Sequence, residues 1–238
     1  MTALLLQLVL AGTGVVAKSG GPVIRRAGIS GTPVVPVPVF HHGMDDAFPC
    51  YRVPSLLAVP GVLLAFAECR RFVGDSCEPT NRRRWNNTDT EDRVICARRS
   101  IDNGATWGPL DTKISGAAWH AAYPTASYHA PSGTVVLQFS GWNATAGPRP
   151  VYLLPTVLQV VSTNLGVTWS TPRLVDGVAP GFLGGCRSDA TATGRLLFAG
   201  FDHPAAQALH GASTTRVWAS DDGGALDLGS MLGQAMSS

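Results

Sequence analysis

The octapeptide SIDNGATW, residues 100–107, is the most informative part of this sequence, because the chain repeats it. Ser162–Trp169, STNLGVTW, is a second copy with Asn in place of Asp. Ser220–Gly224, SDDGG, begins a third copy, which has Leu226 and Asp227 where Thr and Trp stand in the others. The copies lie about 60 residues apart, a spacing that fits one four-stranded propeller blade with long loops. The repeat therefore predicts an all-β fold of successive blades.

Each octapeptide predicts a turn between two strands. An Asp or Asn side chain accepts backbone N–H bonds two residues on, and so replaces ladder bonds that the turn loses. The Gly two positions later allows a positive φ, and the Trp buries apolar area against the turn. Apolar runs lead into both complete copies, at Val94–Ala97 and Val157–Val161. Because repeated turn chemistry reports architecture, we expect these turns to fasten blades together and to contact no substrate.

Three hairpins are predicted about midway between the octapeptides. Their turn dipeptides are Pro60-Gly61, Ser132-Gly133 and Thr193-Gly194, each followed by an apolar run. The sequence contains no amphipathic helical pattern of convincing length. Residues 72–93 interrupt this regular alternation of hairpins and octapeptides. They form a polar insertion rich in Arg and Asn, which we interpret as a long loop.

The composition limits the classes of function. A chain of 238 residues with 45% hydrophobic and 14% charged residues can bury a large core, and 27 Gly and 17 Pro suit an all-β chain with many turns. A formal net charge of +2 argues against a nucleic-acid partner and against strong attraction to a membrane. Five cysteines permit disulfides without fixing a pairing, and none has the CxxC spacing of a structural zinc site. We therefore expect no metal and no cofactor.

The N-terminus resembles a targeting segment. Residues 1–17 are apolar, too short to span a bilayer, and end in the small residues of a signal-peptide cleavage site, although a basic N-terminal region is missing. The sequons Asn86-Asn87-Thr88 and Asn143-Ala144-Thr145 favour export. We expect a candidate signal peptide over 1–17, no stable membrane span, and a secreted, lysosomal or endomembrane-lumen location. Residues 18–45 then form an approach segment, and residues 46–238 form the propeller.

Two arginines frame the first predicted hairpin. Tyr51-Arg52-Val53-Pro54 precedes it and Glu68-Cys69-Arg70-Arg71 closes it, so both arginines can lie at one end. A guanidinium binds a carboxylate through two parallel hydrogen bonds, so several arginines around one site recognise an acidic ligand. Asp75 follows on a loop at the same end, and a carboxyl group shielded beside arginines is a candidate acid/base. For each residue the alternative is an ordinary surface charge, and for Arg52 a role in supporting the fold is equally open.

The arginine motif followed by the octapeptides resembles the exo-α-sialidases (neuraminidases), most closely their bacterial and lysosomal-type branches. The resemblance covers roughly residues 46–224, through YRVP, LLAFAECR and the repeated Asp boxes. It implies a six-bladed β-propeller, of which this chain holds about three to four blades, and cleavage of terminal sialic acid with retention of configuration. It also implies that Arg52 clamps the sialic acid carboxylate and that Arg70 lines the site. Asp75 is the best match to the acid/base, with Asp89 or Asp92 as conceivable substitutes.

The same resemblance indicates what this sequence does not match. The family uses a tyrosine nucleophile assisted by a glutamate, because the carboxylate of sialic acid would repel a carboxylate nucleophile. No residue here is matched to that tyrosine, to the glutamate or to two further arginines, and Tyr123-Pro124-Thr125 stands where relatives often carry Asp or Asn before Pro. We therefore expect no turnover from this chain alone, and poor solubility or self-association through an open propeller edge. The alternative is a non-catalytic Asp-box propeller that binds glycans or proteins, which would have no need of the set Arg52, Arg70 and Asp75.

Overall fold

The computed structural model describes residues 36–71, 93–144, 155–175, 178, 182–202 and 214–223. Val37–Ser238 form one compact unit. The candidate signal peptide over 1–17 and the segment with Asp75, Asp89 and Asp92 lie outside the described residues. Within the described ranges no helix is long and apolar enough to cross a membrane.

The described residues form three antiparallel sheets, with the strand orders β1-β2-β3, β4-β5-β6-β7 and β10-β9-β8. The strands are β1 Cys50–Val59, β2 Val62–Arg70, β3 Arg93–Ser100, β4 Trp119–His129, β5 Thr134–Asn143, β6 Thr156–Ser162, β7 Arg173–Leu174, β8 Phe182–Ala190, β9 Leu196–Asp202 and β10 Thr214–Ser220. The first strand of the second sheet, β4, contacts both β1 and β8, the first strands of the other two. Consecutive propeller blades meet in this way along their inner strands. The prediction of an all-β partial β-propeller is thus confirmed, and we call the three sheets blades 1, 2 and 3.

All three predicted hairpins form. Pro60-Gly61 joins β1 to β2, Ser132-Gly133 lies in the turn between β4 and β5, and Thr193-Gly194 lies in the turn between β8 and β9. The three glycines have φ of +72°, +67° and +91°, in the left-handed region where a Cβ is unfavourable. The insertion ends one residue earlier than predicted, because Arg93 is the first residue of β3.

Apolar side chains fill the spaces between neighbouring blades. Phe66 of blade 1 and Leu137 and Phe139 of blade 2 belong to one buried cluster. Val136, which points to the other side of β5, packs with Phe198 and Trp218 of blade 3. Blade 2 is therefore buried on both faces, which explains why β5 is a nearly continuous apolar run rather than an alternating one.

Two phenylalanines that precede β1 cover the other face of blade 1. Phe40 and Phe48 pack with a third cluster that contains Cys69 and Cys96. These two cysteines form a disulfide that joins β2 to β3, and Cys50 is disulfide-bonded as well.

One face of blade 3 points away from blade 2. Because side chains alternate along a strand, Leu196 and Phe198 face blade 2 whereas Leu197 and Ala199 face outward. Val217 of β10 lies opposite Ala199 and is 60% exposed. We call this outward side of blade 3 the open face.

Candidate functional site

The strand directions separate the two kinds of motif to opposite ends of the blades. The start of β1, the end of β2 and the start of β3 meet at one end, since Cys50 pairs with Arg70 and Arg70 pairs with Arg93. Ser100 and Ser162, which begin the octapeptides, terminate β3 and β6 at the other end. We call these the arginine end and the octapeptide end. Arg52 and Arg70 lie together at the arginine end, as their positions in the hairpin predicted.

Glu68 lies at the centre of the arginine end. Its side chain is fully buried, and it sits opposite Arg52 in the β1–β2 register. Glu68 Oε2 accepts hydrogen bonds from Arg70 Nη2 at 2.6 Å and from Arg70 Nε at 3.1 Å. Arg93 Nη1 lies 3.5 Å from the same oxygen. One carboxylate therefore contacts two guanidinium groups, and all three side chains are almost completely buried.

Arg93 also contacts the second blade. Its guanidinium carbon lies 4.9 Å from the centre of the Trp142 ring, within the range of a cation–π interaction. Trp142 is the second-last residue of β5, so it is at the arginine end of blade 2. The Trp142 ring of blade 2 therefore packs against a guanidinium group of blade 1 at this end.

Bulges interrupt the first strand of every blade near the arginine end. They fall between Arg52 and Ser55 in β1, between Ala122 and Thr125 in β4, and between Gly184 and Arg187 in β8. A cavity of about 470 Å³ is lined by residues from all three bulged strands.

The first two bulges share an unusual backbone conformation. Val53 has φ +49° and Tyr123 has φ +58°, and each precedes a proline. A positive φ is a genuine outlier for a β-branched residue such as Val53. The backbone N–H of Tyr123 donates to Glu68 Oε1 at 3.1 Å, so the bulge of blade 2 is tied to the carboxylate of blade 1. Tyr123, where relatives of the resembled family often carry Asp or Asn, contributes its backbone N–H to this contact.

The octapeptide end has the same geometry in both complete copies. Ser100 Oγ accepts the N–H of Gly104 at 2.8 Å, and Ser162 Oγ accepts that of Gly166 at the same distance. Asp102 Oδ1 accepts the N–H of Thr106, four residues on rather than the two that we predicted, because the serine takes the nearer N–H groups. The bonds from Thr106 and Ser100 lower the pKa of Asp102 to about 2.

The third octapeptide begins the same turn. Ser220 Oγ donates to Asp222 Oδ1 at 2.6 Å, as Ser100 does to Asp102 at 2.7 Å. Gly223 has φ +71°, matching the left-handed residue at this position in the other copies. The divergent residues Leu226 and Asp227 lie outside the described ranges.

The second octapeptide packs on the preceding blade. The Trp169 ring meets Phe66 of blade 1 edge-on, with ring centres 5.8 Å apart. Arg99 Nε of blade 1 donates to the carbonyl of Leu165 at 3.0 Å. Gly166 has φ +80°, and a Cβ there would lie 2.6 Å from Leu64 Cδ2, so a larger residue would be strained and would displace the Leu64 side chain. These contacts support the prediction that the octapeptides fasten blades together.

Reasoning from the sequence missed three residues of the arginine end, namely Glu68 as a central group, Arg93 and Trp142. The signal for Glu68 was present, because alternation along β2 puts it on the face of Arg70. In the described part of the chain, no group of three or more His, Cys, Asp or Glu side chains is arranged to hold a metal ion.

The fold is similar to that of solved sialidase structures. The Hadza microbial sialidase Hz136 superposes with a TM-score of 0.62 at 20% identity, over 78% of this chain and 38% of that protein. The Trypanosoma rangeli sialidase in complex with the inhibitor DANA gives 0.52 at 17% identity, over 74% and 29%. The intramolecular trans-sialidase from Ruminococcus gnavus, in complex with oseltamivir carboxylate, gives 0.55 at 12% identity, over 79% and 61%. No protein-family model matches the sequence.

These similarities define a class of fold. At identities of 12–20% they show that the chain shares the β-propeller architecture of these sialidases. The chain spans less than two thirds of the length of each of them.

Proposed function

We propose that this chain carries the carboxylate-binding part of an exo-α-sialidase. Such a glycoside hydrolase removes terminal sialic acids from glycoproteins, glycolipids and oligosaccharides with retention of configuration. The observation that carries the proposal is the clustering of Arg52, Arg70 and Arg93 at one end of blade 1, beside the bulged inner strands. The structural likeness to sialidases solved with DANA and with sialic acid supports it.

Arg52 is proposed to clamp the carboxylate of sialic acid. It is half-buried and lies at the β1 bulge, next to Val53, which lines the cavity of three blades. A guanidinium matches a carboxylate in both charge and geometry. Arg70, held nearby by Glu68, is proposed to line the same site.

Asp75 is proposed as the acid/base, with Asp89 and Asp92 as the substitutes that the sequence leaves open. The carboxyl group would protonate the leaving oxygen and then activate water. These residues belong to the segment between β2 and β3, which begins beside Arg70 and ends beside Arg93. No residue of this sequence is matched to the tyrosine nucleophile, so we expect no release of 4-methylumbelliferone from its sialoside by this chain alone.

The carboxylate-binding proposal is tested by the affinity of the immobilised chain for sialic acid and for its methyl ester, measured by surface plasmon resonance. Sialic acid is expected to bind at least about tenfold more tightly than the ester, because hydrogen bonds between charged groups are the stronger kind. Arg52→Ala should remove this preference. Arg195→Ala, a matched loss of an arginine at the octapeptide end, should preserve it.

Equal binding of the acid and the ester by the wild type would contradict the proposal. Together with retained glycan binding, it would favour the alternative of a non-catalytic propeller that binds glycans or proteins. That alternative draws support from the Tyr123 position, where relatives of the resembled family often carry Asp or Asn.

We also propose a secreted, lysosomal or endomembrane-lumen location. The Cys69–Cys96 disulfide supports it, because disulfides persist in oxidising compartments. Asn143, the acceptor of one sequon, is exposed at the end of β5. A loss of mass after treatment with an N-glycosidase would agree with this location, and an unmodified, reduced chain in cells would contradict it.

A further inference from the structure

Glu68 joins the arginines of blade 1 to the backbone of blade 2. One oxygen of its carboxylate accepts two hydrogen bonds from Arg70 and lies near Arg93. The other oxygen accepts the N–H of Tyr123 across the blade interface. The carboxylate is fully buried, so these contacts are made where water does not compete.

A carboxylate in this position fixes the direction of the arginine. A free arginine side chain samples many rotamers, and ordering it on a ligand weakens binding. Arg70 donates to Glu68 through both Nε and Nη2, which sets the plane of its guanidinium before any ligand arrives. The bond to Tyr123 in turn fixes Glu68, because that N–H belongs to a bulge with a positive φ.

We infer that Glu68 is a positioning residue, which holds Arg70 in the orientation that binds an anionic sugar and couples that orientation to the bulge of blade 2. This inference rests on the proposed function, since it takes sialic acid as the ligand.

A positioning role and a purely electrostatic role of Glu68 predict opposite changes in the affinity for sialic acid when Glu68 is replaced by Gln. Glu68→Gln keeps an oxygen for the Tyr123 N–H and removes one negative charge. If charge alone decided affinity, the variant would bind an anion more tightly. If Glu68 positions Arg70, the variant binds sialic acid more weakly, although its net charge is more positive.

The experiment measures the affinities of the immobilised full chain for sialic acid and for its methyl ester. In Glu68→Gln the preference for the acid over the ester should fall about tenfold, because an oriented charged contact is lost. A general loosening of the fold would weaken the binding of both ligands in proportion and leave the ratio of their affinities unchanged. Asp221→Asn is the matched control, since it makes the same change in charge at the octapeptide end and should leave the ratio as in the wild type.

A second measurement avoids any folding defect of the variant. In the wild type, sialic acid should slow hydrogen exchange of the Tyr123 amide about tenfold, because ligand on Arg70 stabilises the carboxylate that accepts this N–H. The methyl ester should slow it less. Exchange unaffected by sialic acid would overturn the coupling to blade 2.

The outcomes separate this inference from the proposed function. In one outcome the wild type prefers the acid, Arg52→Ala loses this preference, and Glu68→Gln keeps or increases it. That result overturns the positioning role alone. No preference in the wild type overturns both.

Discussion

The two ends of the blades differ in how they are built. At the octapeptide end, the turn of each blade begins with a serine hydroxyl that donates to an Asp or Asn side chain, and a left-handed residue follows. At the arginine end, blades 1 and 2 share a bulge with a positive φ but contribute different groups. Blade 1 contributes Arg70, Glu68 and Arg93, whereas blade 2 contributes a backbone N–H and the Trp142 ring.

The difference reflects what each end must do. Every blade meets the same requirement at the octapeptide end, namely to turn the chain and pack on its neighbour, so one solution recurs. No such shared requirement applies to the side chains at the arginine end of blades 1 and 2, which differ. The repeated hydrogen-bonded turns therefore mark architecture, and the unrepeated side chains mark the candidate site.

The largest expected effect concerns the covalent bond near the arginine end. The Cys69–Cys96 disulfide has a sequence separation of 27, and closing a loop of that length in the unfolded chain stabilises the fold by about 3–4 kcal/mol. The double variant Cys69→Ser, Cys96→Ser should therefore unfold at a much lower denaturant concentration. An unchanged midpoint, with the wild-type disulfide verified by mass spectrometry, would contradict the prediction.

The next effect tests the fastening role of the octapeptide tryptophans. Trp169 packs on the cluster between blades 1 and 2, so Trp169→Ala should lower the free energy of unfolding by about 2–3 kcal/mol. Trp107, the equivalent residue of the first copy, is not among the described side chains packed on that cluster. Trp107→Ala should cost about 1 kcal/mol. Equal losses in denaturant unfolding would show that the two copies do not differ in this role.

A smaller effect concerns self-association, which we propose occurs through the open face of blade 3. Val217 on that face and Val167 in the second octapeptide are each 60% exposed, so they form a matched pair. Val217→Lys should weaken association about tenfold, because a buried charge opposes an apolar contact. Val167→Lys should change nothing in sedimentation velocity. A wild-type chain that remains a monodisperse monomer and melts sharply would refute the proposal.

The smallest effect is a pH dependence at the first octapeptide. Hydrogen bonds lower the pKa of Asp102 from 3.8 to about 2, so its stabilising contribution is complete above about pH 4 and disappears as the pH falls towards 2. Asp102→Asn copies the second octapeptide, where Asn164 accepts the N–H of Thr168 at 2.9 Å without titrating. The stability difference between wild type and variant should therefore shrink between pH 4 and pH 2 in denaturant titrations. A difference that stays constant over this range would show that the carboxylate charge is irrelevant there.

The strands and turns of the fold could be predicted from local sequence. The turn glycines Gly61, Gly133 and Gly194 and the octapeptides report conformations that only a few residues adopt, and the apolar runs between them are strands. The proximity of Arg52 and Arg70 followed from one hairpin, whose register is set by its own short turn.

The remaining features of the site depend on contacts between distant parts of the chain. Arg93 faces Arg70 only because of a strand register set across an insertion, and local sequence does not determine such a register. The Cys69–Cys96 pairing depends on that register too. The bond from Tyr123 to Glu68 depends on how two blades pack and on a bulge with a positive φ, neither of which has a local sequence signal.

The Cys69–Cys96 bond also changes what a peptide-bond cleavage would do. A protease that cuts between Arg71 and Arg93 would yield two polypeptides that stay joined through this disulfide. The nicked protein would migrate as one species in a non-reducing gel and as two after reduction. The bond would also keep the two cut ends at a high effective concentration relative to each other. The carboxyl groups of the segment would therefore stay attached to the strands that carry Arg70 and Arg93, even after backbone scission.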